Sequence, residues 1–200
     1  FTLTKGYGFV PVAMAATFPD VPDNTVYFNA VEYLKAKGVV SGYPDGSFQP
    51  GKTINRAEAL KIVMLATGTT LDSQTTLSFP DVPKDAWFYE HVRKAFDLKV
   101  AEGYPDGDFK PENNINIAES LKIILRSFAV TLPETVTKDV YPDVSKDAWY
   151  APYAEYSRVK QLIWAMDDGN LHADRDITRG DFAQIIYRLM YIRELNLATF

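Results

Sequence analysis

The chain contains no cysteine, which excludes disulfides, thiolate metal sites and a cysteine nucleophile together. It does not exclude export, because a bacterial surface protein can be stable without disulfides. Only two histidines are present, His91 and His172, and neither falls in a metal-spaced or triad-like setting. Positive charge is also in short supply. A net charge of −5 and a pI near 5.1 argue against a nucleic-acid partner and against polybasic attraction to an anionic membrane. No apolar run approaches the roughly 18 residues that a membrane-spanning helix needs. What the chain does have is apolar substance: 46% hydrophobic and 14% aromatic residues, enough for a substantial core.

The N-terminal stretch "GFVPVAMAATFPD" contains Ala13-Met14-Ala15, the small-x-small form of an export-signal cleavage site. Pro11 breaks the apolar run before it. Residues 1–17 therefore read as an N-terminal tether or the remnant of an export signal.

From Phe18 onward the chain repeats itself. "FPDVP" at Phe18–Pro22 returns at Phe79–Pro83 and as "YPDVS" at Tyr141–Ser145. "KDAWFY" at Lys84–Tyr89 returns as "KDAWYA" at Lys146–Ala151. "GYPDGSFQP" at Gly42–Pro50 returns as "GYPDGDFKP" at Gly103–Pro111, and then only as "AMDDGNLHA" at Ala165–Ala173. "INRAEALKIV" at Ile54–Val63 returns as "INIAESLKII" at Ile115–Ile124 and "ITRGDFAQII" at Ile177–Ile186. All these blocks share offsets of 61 and then 62 residues, which marks three structural repeats. Their spans are 18–68, 79–129 and 141–192, and sixty-residue units of this kind need one another to bury their apolar faces.

Each repeat reads as helix, loop, helix, an all-α design. In the first, Asp23 or Asn24 can cap a helix carrying Tyr27, Ala30, Val31 and Leu34 at helical spacing, and Gly38 ends it. The loop follows, with Pro44 presetting φ and Asp45-Gly46 supplying a turn. Asn55 with Glu58, and Asn116 with Glu119, approximate capping boxes; Thr178 with Asp181 is a shorter version. The second helices are expected at Arg56–Thr67, Ile117–Phe128 and Arg179–Leu189, and their apolar richness makes them the centre of the fold. The linkers at 68–78 and 129–140 are long enough to carry the chain between corners of a closed trimer, so closure is favoured over an open stack.

These residues resemble the S-layer homology (SLH) repeat in three tandem copies, over Phe18 to about Met190. The resemblance implies a pseudo-threefold, three-pronged spindle around a central three-helix bundle, with a groove between each pair of repeats. It also implies a non-catalytic task at the outside of a bacterial envelope: holding an S-layer or other surface protein to cell-wall polysaccharide, with a pyruvylated aminosugar as partner and no cofactor. In the family an Arg at the start of the second helix reaches the ligand's carboxylate, while loop glycines and a Trp line the groove. Carried over, this nominates Arg56, Arg179, Trp87, Trp149, Gly42, Tyr43, Gly103 and Tyr104.

The chemistry of these residue types suits such a ligand. A guanidinium fork at a helix start combines with backbone N–H groups and the positive end of the helix dipole. An indole offers an apolar face to a sugar ring, and glycine lets backbone approach it. Plainer roles stand beside each assignment. Arg56 and Arg179 are either ligand contacts or helix-start residues, solvated or paired with a neighbouring carboxylate; Trp87, Trp149, Tyr43 and Tyr104 either line a groove or pack the core. Asp45 and Asp106 read as turn residues, Phe48, Phe109 and Leu171 as loop anchors, and Asp20, Asp81 and Asp143 as local turn or cap residues.

The copies are unequal. Where two repeats have Arg, the second has Ile117; where two have Trp, the first has Val26; and the third loop has Ala165-Met166 for Gly-Tyr. One competent groove, or at most two, is expected. An enzyme is a poor fit, since the carboxylates recur threefold whereas a catalytic pair needs one asymmetric constellation. Residues 167–176 are acidic but do not match calcium-loop spacing. The rival reading is an SLH-like structural module with decayed grooves that mediates protein self-assembly.

Overall fold

The computed structural model describes residues 16–198, so nearly all of the N-terminal segment assigned to a tether or export signal lies outside the described residues. Among the described residues six helices account for the regular structure: α1 (Phe28–Ala36), α2 (Arg56–Thr67), α3 (Tyr89–Asp97), α4 (Ile117–Ser127), α5 (Ala151–Val159) and α6 (Arg179–Ala198). No strand is present among the described residues, only isolated bridges. The fold is all-α.

The even-numbered helices start where the caps dictate. The Asn55 side chain accepts from the Glu58 N–H (2.8 Å) while the Glu58 carboxylate accepts from the Asn55 N–H (3.1 Å). Asn116 and Glu119 repeat this at 2.8 and 3.0 Å. In the third repeat only half the box forms, with Thr178 Oγ1 accepting from the Asp181 N–H. The odd-numbered helices behave differently. Asp23 and Asn24 do not cap α1; its N-cap is Tyr27, with no side-chain cap bond, and Phe88 and Tyr150 stand in the same place for α3 and α5.

Of the second helices, α2 ends at Thr67 as expected, α4 stops one residue early at Ser127, and α6 overruns its expected end. Gly68 stops α2 in the left-handed region, at φ 64°, and Ala129 takes φ 48° just beyond α4. The third copy has Tyr191 at this point and no breaker after it, so α6 runs on past Leu189 to Ala198.

Closure is written in backbone hydrogen bonds. Ile115 N–H donates to the Ile54 carbonyl (3.2 Å), Ile177 N–H to Ile115 (3.0 Å) and Ile54 N–H to Ile177 (3.2 Å). One residue from each repeat thus forms a closed ring of three bonds. A second ring of equivalents surrounds it: Arg56 N–H to Asn113, Ile117 N–H to Arg175 and Arg179 N–H to Lys52. The three isoleucines are at most 1% exposed, so this ring satisfies backbone groups that water cannot reach.

Helix packing follows the same cyclic order. α3 packs on α2, α5 on α4 and α1 on α6, so the first helix of each repeat rests on the second helix of the preceding one. Leu60, Val63, Leu121, Ile124, Phe182 and Ile186 of the second helices are fully buried. Phe48, Phe109 and Leu171 are fully buried too, each stabilising its loop by about 1.5–3 kcal/mol. The carboxylates of Asp20, Asp81 and Asp143 prove to be long-range ties, not local turn residues. Asp20 accepts from the Phe48 and Gln49 N–H groups (2.8 and 2.7 Å), 28 and 29 residues away. Asp81 and Asp143 do the same for Phe109–Lys110 and Leu171–His172.

Candidate functional site

The offset packing builds each groove from three repeats at once. The loop and second helix come from one repeat, the Arg-position residue from the preceding repeat and the Trp-position residue from the following one. Groove 1, about 210 Å³, joins Gly42, Tyr43, Glu58 and Lys61 to Arg179 and Trp87. Groove 2, about 200 Å³, joins Gly103, Tyr104, Glu119 and Lys122 to Arg56 and Trp149. All eight nominated residues fall in these two grooves, four in each. Groove 3 receives Ala165, Met166, Ile117 and Val26. The three losses, scattered over three repeats in sequence, meet in one place.

Trp87 and Trp149 are 52% and 57% exposed, so they are surface platforms and not core. A lysine sits over each ring, Lys61 at 5.5 Å from Trp87 and Lys122 at 5.7 Å from Trp149. These two lysines were not singled out from sequence. Their signal was there: Leu-Lys-Ile recurs in the first two second helices, and the third has Ala-Gln-Ile. Burial, helped by the neighbouring Arg126 charge, holds the Lys122 ammonium below its ordinary pKa.

The arginines occupy a different position from a solvated helix-start residue. Arg56 and Arg179 are 7% and 8% exposed. Arg179 donates from Nη2 to the Ser41 carbonyl (2.7 Å) and from Nε to the Phe48 carbonyl (3.0 Å). Arg56 donates from Nη2 to the Glu102 carbonyl, while its Nε is buried without a partner. Each guanidinium lies over the loop's aromatic rings, Arg179 over Tyr43 (5.0 Å) and Phe48 (4.6 Å), Arg56 over Tyr104 (5.2 Å) and Phe109 (4.5 Å). Burial lowers the pKa of both.

The helix-start backbone is likewise engaged. The N–H groups of Arg56 and Ala57 donate to Asn113 and Pro111, and those of Arg179 and Gly180 to Lys52 and Pro50. An anion here would meet side chains, chiefly Lys61 or Lys122, more than free backbone donors.

Glycine in the loops has a packing reason of its own. A Cβ on Gly42 would lie 2.6 Å from Phe18 Cε1 and 2.9 Å from the Ser47 carbonyl; on Gly103 it would lie 2.3 Å from Phe79 Cε1. The Phe of the Phe-Pro-Asp-Val block fills the space that a side chain would need. Tyr43 and Tyr104 line the grooves and also direct their hydroxyls at Glu58 and Glu119 (3.3 Å each). Both carboxylates are therefore shared between a cap and a loop tyrosine.

The S-layer homology domain model matches residues 17–60, 78–119 and 140–183. A surface-layer 125 kDa protein of Lysinibacillus sphaericus is 31% identical over 184 residues, covering 90% of this chain and 15% of that protein. The S-layer protein sap of Bacillus anthracis is 25% identical over 171 residues, covering 85% of this chain and 19% of that protein. An endoglucanase of a Bacillus species is 26% identical over 198 residues, covering 92% of this chain and 20% of that protein. In each case the chain spans a fifth of its relative or less. Three matched repeats, in register with the three loops and the three second helices, place this chain in the S-layer homology domain family.

Proposed function

We propose that the chain is a non-catalytic anchoring module that binds an acidic cell-wall polysaccharide in grooves 1 and 2 and so holds its parent protein to a bacterial envelope. The carrying observation is the convergence of Val26, Ile117 and Ala165-Met166 on one groove. Two grooves keep the complete set, Arg, Lys, Trp, Gly and Tyr, although each set is drawn from three repeats. Two competent grooves is the upper end of the sequence expectation.

The recognised unit is a sugar bearing a carboxylate, of which a pyruvylated aminosugar is the family's type. Its apolar face lies on Trp87 or Trp149. Its carboxylate pairs with Lys61 or Lys122, a charge-assisted contact strengthened by partial burial. Arg179 and Arg56 hold the loop and add their positive field from beneath it. Two grooves on one rigid module bind one polymer with effective concentrations that a single groove lacks.

The test is co-sedimentation with purified sacculi, untreated and stripped of secondary polysaccharide by mild acid. Binding to the untreated wall alone is expected, and its loss in a Trp87→Ala/Trp149→Ala variant. Equal binding to both preparations would overturn the reading. The self-assembly alternative has one observation on its side, since Val26 is 80% and Trp164 62% exposed. It predicts concentration-dependent oligomers in sedimentation velocity that the polymer does not affect.

A further inference from the structure

Groove 3 has been refitted as well as depleted. Both cations that face the other grooves are replaced by neutral side chains: Ile117 stands for Arg56 and Arg179, and Gln184 for Lys61 and Lys122. An indole then appears at a new position, Trp164, where the other loops have Ser41 and Glu102. Arg188 lies against it, 3.7 Å from the ring centroid, and is itself fixed by donating to the Leu162 carbonyl (2.9 Å). An aromatic ring with a cation on it has been rebuilt from different residues, with 62% of the Trp164 surface left open.

The rest of the lining is apolar at the floor and polar at one edge. Ile117 and Leu162 are fully buried and Ile185 nearly so. The Gln184 amide, oriented to satisfy its neighbours, donates to the Val26 carbonyl (3.0 Å) and accepts from Arg188 Nε (3.2 Å). A primary amide has two N–H donors and two acceptor lone pairs, so one of each remains. The carboxylate of Asp181 accepts from the Tyr27 hydroxyl (2.9 Å) and faces Arg175 at 3.5 Å. The cavity measures about 640 Å³, three times either sister groove and within the range of small-ligand sites.

We infer that groove 3 is a second binding site of different specificity, one that takes an uncharged N-acetylated sugar. A pyranose face stacks on Trp164, the acetamido methyl enters the apolar floor that replaces the arginine, and its amide pairs with Gln184. An acid is disfavoured, because neutral Gln184 and Ile117 stand where the other grooves have Lys and Arg, Arg175 faces the Asp181 carboxylate, and Arg188 is held by the Leu162 carbonyl. This site does not depend on the acidic-polymer reading of grooves 1 and 2.

The chain carries three tryptophans, and each sits in a different groove: Trp87, Trp149 and Trp164. The three indole N–H resonances of ¹⁵N-labelled protein therefore report the grooves one by one. Titration with a trimer of N-acetylglucosamine is expected to move the Trp164 resonance to saturation and leave the other two in place. Maltotriose, matched in size but without acetamido groups, and glucuronic acid are expected to leave Trp164 still. Gln184→Ala is expected to weaken the trimer about fivefold, with unshifted Trp87 and Trp149 resonances showing an intact fold. A static Trp164, an equal response to maltotriose or to the acid, or a shift with protein concentration alone would overturn the inference. Failure of the anchoring reading would appear instead as unmoved Trp87 and Trp149 in the presence of wall polymer.

Discussion

Arg179 Nη2 donates to the carbonyl of Ser41, 138 residues earlier in the chain. The residue nominated as the ligand's carboxylate clamp is thus also a strut between the third repeat and the first. Arg179→Ala strands the Ser41 and Phe48 carbonyls and empties the space above Tyr43. A loss of about 2–3 kcal/mol is expected in urea unfolding, as for charge-assisted hydrogen bonds with partly buried acceptors. An unchanged midpoint would show that the loop holds itself without the guanidinium. Wall binding by this variant reports the braced loop as well as the guanidinium itself.

The tryptophans make the cleaner pair. Trp87 and Trp149 are more than half exposed, so alanine at either is expected to change stability by no more than about 0.5 kcal/mol. Each single variant should weaken sacculus binding, and the double variant should lose it. A large drop in the unfolding midpoint would mean that the indoles brace the fold.

Gly42→Ala and Gly103→Ala add a Cβ within 2.6 and 2.3 Å of the Phe18 and Phe79 rings. Overpacking of this kind is expected to cost about 1–3 kcal/mol. Phe18→Leu should restore part of the loss in the Gly42 variant, a coupling that a double-mutant cycle measures. Additive effects would place the reason for glycine in the groove and not in the packing.

His91 supplies a pH signature. Burial, and then the nearby Lys61 charge, hold its pKa below the ordinary 6.5, outweighing Glu90 and a backbone bond at Trp87. The unfolded chain takes up this proton first as pH falls. Stability is therefore full above about pH 6.5 and declines as pH drops from there towards the lower folded-state value. His91→Gln is expected to flatten urea midpoints between pH 6.5 and 5. An unaltered slope would move the effect to the carboxylates.

Much of this was legible in the sequence, and what was not has a physical cause. Asn55-Glu58 and Asn116-Glu119 announce their helices because capping is local, a matter of three residues. The expected stop at Leu189 fails because nothing after it breaks a helix: residues 190–198 contain no Gly or Pro, whereas Gly68 and Pro133 follow α2 and α4. Asp20 looked like a turn residue because its partners at Phe48 and Gln49 are remote in sequence. The groove membership of Arg56 with Tyr104 was hidden for a similar reason. A repeat offset shows which residues are equivalent; it does not show which are neighbours. Ile117, Val26 and Ala165 read as separate injuries until the cyclic order put them together.

The ring of Ile54, Ile115 and Ile177 bears on how the module meets force. A stack of repeats under tension peels from one end, losing one unit at a time at modest load. Here the first and third repeats are joined directly, through this ring, through Arg179 to Ser41 and through Lys37 to Glu194 at 2.9 Å. Pulling either end away must part that seam before any repeat can leave. The joint should therefore yield in a single event at high load, a useful property in a module that works as an anchor.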